Sequence, residues 1–356
     1  MAHRDTASDL HAVLDTFADL DDGSGPVAAR SLPVERLAGG LINDTYALGR
    51  GFVVQRLHRI FLPEVNLDIA ALVPHLRAAG VPVPTLLRAR DGKPYVHVDD
   101  VHSPHHGTWR ILTRLPGATR DRLDHPRQAE AAGAMVGRFH AALLSVAHRF
   151  AFVRPGAHDT PAHMASLAHA MAQLRGHRLW PAVAPLADEL LARWAVFGPV
   201  PDLPARIIHG DLKVSNLLWD GDAVCGVIDL DTMAHSSLDI ELGDALRSWC
   251  NATAEDAPEP SFDAAVFAAA MGGYLGAAGT WITRAERHAI ARGTLRICLE
   301  LSARFLGDAL RESYFGWDAR RFASRGDHNL ARGRNQLALA RTVAEQMPAL
   351  QTCLEG

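Results

Sequence analysis

The N-terminal third of the chain consists mostly of short apolar runs separated by turn residues. Apolar residues recur at helical spacing over residues 10–20, and from Leu32 onward the pattern changes to short runs bounded by glycine, proline and aspartate. Short runs of this kind are typical of strands. The predicted strands are Val34–Leu37, Thr45–Leu48, Phe52–Leu57, a broken region at 81–98, and Thr108–Leu115. Together they would form a five-stranded antiparallel sheet.

Helical patterns interrupt these strands once and dominate the sequence afterwards. Residues 62–79 carry apolar side chains at helical spacing before Gly80, a common terminator, while Pro74 predicts a kink. Later helical patterns cover residues 128–147, 185–197, 263–278, 284–313 and 331–347. We therefore predict an α+β fold with two lobes. Residues 1–114 would form a β-rich lobe with an N-terminal helix, and residues 115–356 a mainly helical lobe.

Composition indicates a globular protein that acts on a small molecule. The chain has 356 residues, 48% of them hydrophobic, and a net charge of −4. This length can bury a large core, and slight acidity gives no reason to expect nucleic acid as a partner. Cys225, Cys250, Cys298 and Cys353 are scattered, so neither a zinc site nor a disulfide framework is indicated. Free thiols and a charged N-terminus favour a cytoplasmic location, and the longest apolar stretch is too rich in alanine and glycine to predict a membrane span.

One predicted hairpin collects the residues that could carry chemistry. Residues 207–231 read IIHGDLKVSNLLWDGDAVCGVIDLD, in which an Asp-Gly pair separates two apolar runs. Asp211 and Asn216 lie before and at the start of the first run, and Asp229 and Asp231 lie at the end of the second. The hairpin would gather oxygen ligands at one end. Magnesium sites for phosphate chemistry are commonly built in this way.

The spacing of these residues fits phosphoryl transfer. A carboxylate must orient the attacking hydroxyl or accept its proton, while an amide and a second carboxylate hold Mg²⁺ between the β- and γ-phosphates. We assign the first role to Asp211 and metal ligation to Asn216 and Asp229, with Lys213 neutralising charge on the transferred group. Asp231 either completes the metal shell or organises the loop that follows. The chain has no GxxxxGK[ST] motif, which excludes a P-loop, and no GxSxG motif.

A glycine pair in the N-terminal lobe could approach the phosphates of a nucleotide. Gly39 and Gly40 lie between two predicted strands, and Asn43 follows them. Glycine lets backbone amides come close to phosphate oxygens, and Asn43 would add a side-chain hydrogen bond. A tight β-turn explains the same glycines about as well.

The third predicted strand ends in a cation. Arg56, in FVVQRLH, could be directed at phosphates or could lie on an exposed strand face. An acid on the following helix, Asp68 or Glu64, could reach back to pair with Arg56. We include Arg56 and Asp68 among the candidate nucleotide-binding residues.

These motifs resemble a known family over nearly the whole chain. HGDLKVSN followed by IDLD is similar to the catalytic and metal loops of the aminoglycoside phosphotransferase and choline kinase group, whose fold resembles that of protein kinases. GGLINDTYAL, FVVQRLH, IDLDTM, LDIELGDALR and ARFLGDAL…YF…HNLARGRNQLAL resemble the N-acetylhexosamine 1-kinase branch. The resemblance implies a two-lobed protein kinase-like fold, in which residues 1–114 bind the nucleotide and residues 115–356 carry catalysis and bind the substrate. It also implies ATP and Mg²⁺ as cofactors, and phosphorylation of the anomeric hydroxyl of an N-acetylated hexosamine.

The resemblance also implies roles for individual residues. Arg56 matches the cation of the third strand, where many relatives have lysine. The remaining matches are Asp211 with the catalytic base, Asn216 and Asp229 with the Mg²⁺ ligands, and Gly39, Gly40 and Asn43 with the loop over the phosphates.

Five polar residues of the helical lobe are candidates for binding the acceptor. They are Asp244, Arg247, Arg304, Tyr314 and Arg332. Polar groups on otherwise apolar helices are expected where a lobe lines a polyol pocket, and the alternative is an internal ion-pair network that fixes those helices. Two other functions stay open at this point: a kinase of an aminoglycoside, a choline-like amine or another small alcohol, and a nucleotide-binding protein without catalysis.

Overall fold

The chain divides into two units that share its sequence in alternating segments. The structure is a computed structural model that describes residues 10–21, 23, 25–37, 42–154 and 156–355. The first unit comprises residues 1–118, 142–154 and 225–233, and the second comprises 119–141, 155–224 and 234–356. The first change of unit, at 118/119, falls in the region where the sequence pattern changes. The return of 142–154 and 225–233 to the first unit was not part of our prediction of 1–114 and 115–356.

A five-stranded antiparallel sheet forms the centre of the first unit. Its strands and helices in chain order are α1 (His11–Leu14), β1 (Leu20–Asp21), β2 (Pro26–Val27), β3 (Val34–Arg36), β4 (Asp44–Leu48), β5 (Phe52–Arg56), α2 (Val65–Ala78), β6 (Val96–Val98) and β7 (Gly107–Thr113). The strand order in the sheet is β3-β4-β5-β7-β6, with every neighbouring pair antiparallel. The predicted five-stranded sheet with one helix inserted is present.

The register of β5 against β7 decides which side chains share a face. Gln55 lies opposite Arg110, and Arg56 lies opposite Trp109. Because successive side chains of a strand alternate between faces, Gln55 and Arg110 are on one face and Arg56 and Trp109 on the other. The Trp109 face carries the core of the unit. It contains the apolar residues that predicted an N-terminal helix, although α1 is much shorter than the prediction. Its buried members are Leu10, Val13, Leu14, Phe17, Leu20, Ala29, Tyr46, Leu48, Phe52, Val54, Ala89, Trp109 and Ile111.

Long helices make up most of the second unit. In chain order its elements are α3 (Pro126–Leu143), α4 (Thr160–Gln173), α5 (Trp180–Phe197), β8 (Arg206–Ile208), β9 (Leu217–Asp220), β10 (Ala223–Val227), β11 (Ala234–Ser236), α6 (Leu238–Trp249), α7 (Ala264–Ala278), α8 (Arg284–Arg311) and α9 (Arg325–Glu355). The ends of α3 and β10 belong to the first unit. Apolar periodicity predicted five of these helices and not α4 or α6. The turn between β9 and β10 is Gly221-Asp222, one residue later than the predicted pair.

Close approach of α6 and α8 depends on glycine. A Cβ atom added at Gly293 of α8 would lie 2.1 Å from the carbonyl oxygen of Asp239, and one at Gly243 of α6 would lie 2.7 Å from the carbonyl carbon of Gly293. Both distances are far below van der Waals contact, so the two backbones touch where these glycines face each other. The position of α6 is therefore fixed tightly against α8.

None of the helices in the described part of the chain combines the length and apolar character that a bilayer crossing requires. All four cysteines are free thiols, and Cys250 and Cys298 are buried. Burial raises the pKa of both thiols, that of Cys298 to about 12.

Candidate active site

The predicted catalytic loop connects β8 to β9 in the second unit. Gly210 has a φ of +82°, a left-handed conformation that glycine adopts readily, and it turns the chain immediately before Asp211. A 3₁₀ turn at Val214–Asn216 follows. Lys213 Nζ lies 2.7 Å from Asp211 Oδ2, and Asn216 Nδ2 lies 3.0 Å from the same oxygen. The fold therefore brings Asp211, Lys213 and Asn216 together.

The contacts of Asp211 leave one carboxylate oxygen for an acceptor. Both side-chain donors use Oδ2, and Asn216 Nδ2 also donates to the backbone oxygen of Asp211 at 2.7 Å. Among the residues that the structure describes, none donates to Oδ1. The side chain is 27% exposed. Asp211 thus has the partial exposure and the open oxygen that a group orienting a hydroxyl needs.

Glu241 of α6 anchors the backbone of the catalytic loop. Its Oε1 accepts from the backbone N–H of His209 at 2.8 Å, and its Oε2 accepts from that of Gly210 at 2.9 Å. His140 Nε2 lies 3.3 Å from Oε1. Burial by itself raises the pKa of Glu241, but the hydrogen bond and charge of His140 outweigh it, so the net pKa lies below the ordinary value.

Sequence reasoning missed Glu241 and the second anchor of the loop, Trp249. The Trp249 indole N–H donates to the carbonyl oxygen of Leu212 at 2.7 Å. The available signal was an acid on the apolar helix LDIELGDALR, which could have been read as the partner of buried backbone groups. Both residues are on α6, so this helix positions the loop on either side of Asp211.

Asp244 and Arg247, also on α6, form an ion pair beside the catalytic loop. Arg247 Nη2 lies 3.0 Å from Asp244 Oδ1, and Arg247 Nη1 lies 3.2 Å from Glu255 Oε1. Burial by itself raises the pKa of Asp244. The charges of Arg247, His158 and Lys213 lower it by more, so the net pKa lies below the ordinary value.

A second buried carboxylate, Glu300 of α8, adjoins the same cluster. His158 Nδ1 lies 3.0 Å from Glu300 Oε1, Thr160 Oγ1 donates to Oε2 at 2.6 Å, and Arg304 Nη1 lies 3.8 Å from Oε1. Burial lowers the pKa of His158, but the hydrogen bond and charge of Glu300, aided by Asp244, outweigh it and the pKa is raised. Our prediction included Arg304 and missed His158 and Glu300, which have no recognisable sequence motif.

Aromatic rings complete the cluster around the predicted substrate residues. The guanidinium of Arg304 lies over Phe315 and that of Arg332 over Phe305, at 5.5 and 5.6 Å from the ring centres, and the two rings are 4.5 Å apart. Tyr314 is 56% exposed and its ring lies 4.8 Å from that of Phe315. The five predicted substrate residues therefore lie in one connected region of ion pairs and rings. The ion-pair network is present, and acceptor binding by these residues stays a prediction.

The first unit holds the other two predicted acids in a tight turn. Asp229 adopts φ 66° and ψ 55°, a left-handed conformation that is uncommon outside glycine. A 3₁₀ turn at Leu230–Thr232 follows, in which Asp231 is 1% exposed. Such backbone conformations persist when surrounding contacts fix them, and they are frequent at functional sites.

Asp231 belongs to a buried hydrogen-bond network with Arg110. Arg110 Nη1 lies 2.5 Å from Asp231 Oδ1, and Nη2 lies 2.8 Å from Oδ2. Asn43 Nδ2 donates to Asp231 Oδ2 at 2.8 Å, and Asn43 Oδ1 accepts from the backbone of His58. Gln55 Oε1 accepts from Arg110 Nε at 2.9 Å. Both oxygens of Asp231 are thus occupied, which favours the organising role over metal ligation, and the Asn43 side chain is engaged within the unit.

Arg56 and Asp68 have partners other than those we expected. Arg56 donates to the carbonyl oxygens of Pro104 and His106, and its guanidinium lies 5.9 Å from the centre of the Trp109 ring. Asp68 accepts from His148 Nε2 at 2.8 Å and from the backbone N–H groups of residues 151 and 152. Asp68, one of the two alternative partners of Arg56, therefore pairs with other groups, and nucleotide binding by Arg56 and Asp68 stays a prediction. The physical reason for the different partners is the register, which puts Arg56 on the core face and Arg110 on the face of Gln55 and Asp231.

Two further predictions have different outcomes. Glu64, the alternative partner of Arg56, occupies the N-cap position of α2. Gly39 and Gly40 lie outside the described residues, so their role at the phosphates stays a prediction.

The donor set fits a hard divalent cation. The Asn216 side-chain nitrogen donates to Asp211, which leaves the amide oxygen for a cation, and Asp229 would offer a carboxylate. Magnesium prefers oxygen ligands and usually binds through one or two carboxylates together with substrate phosphates. Within the described ranges, no three His, Cys, Asp or Glu side chains are grouped as a metal site.

Comparison with known proteins identifies the family. A family model described as "Phosphotransferase enzyme family" matches residues 33–281, more than half of the chain. The chain is 27% identical to a homoserine kinase of Zymomonas mobilis over 250 residues, which is 66% of this chain and 69% of that protein. Its fold resembles amicoumacin kinase hAmiN (TM-score 0.61, 15% identity, 94% of this chain and 93% of that chain) and a choline/ethanolamine kinase family protein from Mesorhizobium loti (0.54, 19%, 94% and 99%).

The resemblance to the aminoglycoside phosphotransferase and choline kinase group is confirmed at the level of family and of α+β, protein kinase-like fold, while the N-acetylhexosamine branch stays a prediction. The chain therefore belongs to the phosphotransferase enzyme family and is a small-molecule kinase whose acceptor is an alcohol group.

Proposed function

We propose that this kinase uses ATP and Mg²⁺ to phosphorylate the anomeric hydroxyl of an N-acetylhexosamine or a related sugar. The observation that supports this acceptor is the balance of charge beside the catalytic loop. Asp244 is paired with Arg247, and Glu300 with His158 and Arg304. A cationic amine would need an uncompensated acid, whereas a neutral polyol needs hydrogen-bond donors and acceptors of both kinds next to an apolar face. Phe305, Phe315 and Tyr314 offer such a face.

The residues of the catalytic loop account for the chemical step. Asp211 Oδ1 orients the acceptor hydroxyl and accepts its proton as the hydroxyl oxygen bonds to the γ-phosphorus and the bond to the bridging oxygen of ADP breaks. Lys213 offers a positive charge next to the entering phosphoryl group. Asn216 and Asp229 would hold Mg²⁺, which when bound neutralises charge on the β- and γ-phosphates. Glu241 keeps the loop in the required conformation through its backbone amides.

An amino alcohol is the second candidate acceptor. The homoserine kinase relative supports it, and the adjacent opposite charges of Asp244 and Arg247 could bind a zwitterion such as an amino acid. A zwitterion would replace the internal ion pair with two new ones, and its binding would weaken as salt is added. The binding of a neutral sugar would depend little on salt.

The test is a transfer assay with purified protein, ATP and Mg²⁺ against N-acetylglucosamine, N-acetylgalactosamine, other sugars, homoserine, choline and aminoglycosides, with the product position assigned by NMR. We expect 1-phosphorylated N-acetylhexosamine as the main product. Turnover of homoserine or choline with no sugar product would refute the proposed acceptor.

Asp211→Asn is the matching test of the chemical assignment. The amide can still hydrogen-bond but cannot accept the proton, so turnover should fall by about 10²-fold or more, the range ascribed to acid–base groups. Binding of ATP, measured by calorimetry, should stay within a few-fold of wild type. Near-normal turnover would show that Asp211 is not the base.

A further inference from the structure

Arg110 is a cation in the interior of the first unit for which the proposed chemistry gives no role. Its side chain is 3% exposed and that of Asp231 is 0% exposed. The guanidinium donates through all three nitrogens: to both oxygens of Asp231, to Gln55 Oε1, and from Nη1 to Asn66 Oδ1 at 3.2 Å. Burying two charges has a desolvation cost that can exceed their attraction, and apolar replacements of such pairs are often neutral or stabilising. The pair is therefore better explained by orientation than by stability.

The Arg110–Asp231 pair lies next to the turn that follows Asp229. Asp231 is two residues from Asp229, within the 3₁₀ turn whose first residue follows the left-handed backbone of Asp229. Strained backbone of this kind is retained where surrounding contacts over-determine it. Asp231 supplies those contacts, because its carboxylate joins β7 through Arg110 and the start of β4 through Asn43.

The geometry of the pair requires arginine specifically. Two nearly parallel hydrogen bonds run from the guanidinium to the carboxylate, at 2.5 and 2.8 Å, while Nε and Nη2 both donate to Gln55. A planar fork with five donors can satisfy these acceptors together, and a single ammonium cannot. Since Gln55 lies opposite Arg110 in the sheet, the strand register places Gln55 Oε1 where it orients the guanidinium toward Asp231.

We propose that Arg110 is a positioning residue for the metal-binding end of the site: through Asp231 it holds the backbone of Asp229 in the conformation that a metal ligand needs. This inference rests on the proposed assignment of Asp229 as a Mg²⁺ ligand. The sequence predicted that Arg56 of β5 contacts the phosphates. The proposal gives a role to Arg110 of the neighbouring strand β7 instead, and this role is indirect, through Asp231.

Arg110→Lys tests the proposal because it keeps the charge and removes the fork. We expect the Mg²⁺ concentration for half-maximal turnover, and the KM for ATP at fixed Mg²⁺, to rise about 10–100-fold, the range seen when a partner behind a metal ligand is altered. The KM for the acceptor should change less than about twofold, since the acceptor cluster has no residue of this network. Equal changes in all three constants, or none, would overturn the proposal.

Arg36→Lys is the matched control on the other face of the same sheet. Arg36 donates to Asp44 Oδ1 and its guanidinium lies 6.0 Å from the centre of the Tyr46 ring, so the substitution also alters a charged hydrogen bond and a contact with an aromatic ring. It should leave the Mg²⁺ dependence unchanged even if it lowers the thermal stability by a similar amount. A shift in Mg²⁺ dependence as large as that of Arg110→Lys would show that the effect is general loosening of the sheet.

A measurement on the protein without metal or nucleotide separates backbone positioning from catalysis. Hydrogen exchange of the amides of residues 230–233 should be at least tenfold faster in Arg110→Lys than in wild type and unchanged in Arg36→Lys. If Arg110→Lys does not fold, Gln55→Met removes one acceptor of Arg110 and keeps the ion pair, and it should shift the exchange and the Mg²⁺ dependence in the same direction. Unchanged exchange at 230–233 in the variant that folds would overturn the inference.

Calorimetry with Mg²⁺-ADP keeps this test independent of the proposed acceptor. If wild-type protein binds Mg²⁺-ADP but phosphorylates no sugar, the acceptor is wrong and Arg110→Lys can still be judged by its weaker Mg²⁺-ADP binding. If sugar is phosphorylated and Arg110→Lys binds Mg²⁺-ADP as tightly as wild type, the inference about Arg110 fails alone.

Discussion

Two carboxylates of α6, those of Glu241 and Asp244, have separate roles although they lie about one turn apart. Glu241 accepts from two backbone amides of the catalytic loop, and Asp244 pairs with Arg247 beside it. The first contact fixes the position of the loop that carries Asp211. The second belongs to the proposed acceptor pocket. Neutral amides at the two positions should therefore affect different kinetic constants.

Glu241→Gln should lower kcat by about tenfold or more and change the acceptor KM little. The amide has one acceptor oxygen in place of two, so one backbone N–H of the loop loses its partner, and hydrogen bonds to charged groups contribute about 1.5–3 kcal/mol each. Asp244→Asn is the paired control and should raise the acceptor KM with a smaller change in kcat. Steady-state kinetics with the acceptor varied distinguishes them, and identical effects of the two substitutions would contradict the division of roles.

His158 should make the stability of the protein depend on pH above neutrality. Its pKa is raised from 6.5 in the folded chain, since Glu300 and Asp244 outweigh burial and the repulsion of Arg304. A raised pKa means that the stabilisation is complete below about pH 6.5 and is lost as the pH rises through the folded value.

Urea unfolding of wild type and His158→Gln tests this dependence. At pH 6 the variant should be less stable by about 2 kcal/mol, the scale of one hydrogen bond to a charged group. At pH 9 the difference in the free energy of unfolding should be clearly smaller. A difference that grows with pH would mean that the imidazole is neutral in the folded chain.

At the scale of elements, the contact of α6 with α8 is the part of the fold most sensitive to one added methyl group. A side chain at Gly293 would meet the backbone oxygen of Asp239 at 2.1 Å, and neither backbone can move without disturbing the loop anchors on α6. Gly293→Ala should therefore cost about 3 kcal/mol or more, the upper range for overpacking.

Gly276→Ala on α7 is the control for this prediction. An added Cβ there has no neighbour within 4 Å, and alanine favours helix over glycine by up to about 1 kcal/mol. Urea midpoints should thus move in opposite directions for the two glycine-to-alanine changes. Equal midpoints would contradict the tight contact between α6 and α8.

The strands show what a sequence pattern can and cannot indicate. Apolar runs and turn residues located β3 to β7 and the helix between them, because these features depend on local chemistry. The face to which Arg56 belongs depends on the register of β5 with a strand some fifty residues later, which no local pattern specifies. The same limit explains why Arg110 was missed. Its partner Asp231 is 121 positions away.

The residues with chemical motifs were predicted more completely than their supports. Asp211, Lys213 and Asn216 lie close together because one short loop and turn connects them, so the motif HGDLKVSN was enough to predict that they meet. Glu241 and Glu300 act on groups from other elements, and a buried acid on a helix looks the same in sequence whether it supports a loop or pairs with a neighbour.

At the scale of the whole molecule, the first unit depends on segments that are distant in sequence. Residues 1–118 contain Arg110 and Asp68, while their partners Asp231 and His148 come from 225–233 and 142–154. A fragment of residues 1–118 would therefore retain a buried cation without its carboxylate. We expect this fragment to show no cooperative unfolding by circular dichroism.

Arg110→Met provides the control, because its effect should differ between the fragment and the full chain. In the full chain it leaves Asp231 buried without its cation and should cost about 3–5 kcal/mol. In the fragment it removes the unpaired charge and should not decrease order. A cooperative transition in the unaltered fragment would show that 1–118 is self-sufficient.

The long separation of Arg110 and Asp231 also has a consequence during synthesis. A ribosome that adds roughly 5–20 residues per second needs about 6–24 s to proceed from one codon to the other. Throughout that interval the emerging sheet has a positively charged face with no acid to close it. We therefore expect the nascent chain to keep Arg110 without its carboxylate during this interval, and slower translation between these two codons should lower the yield of folded enzyme.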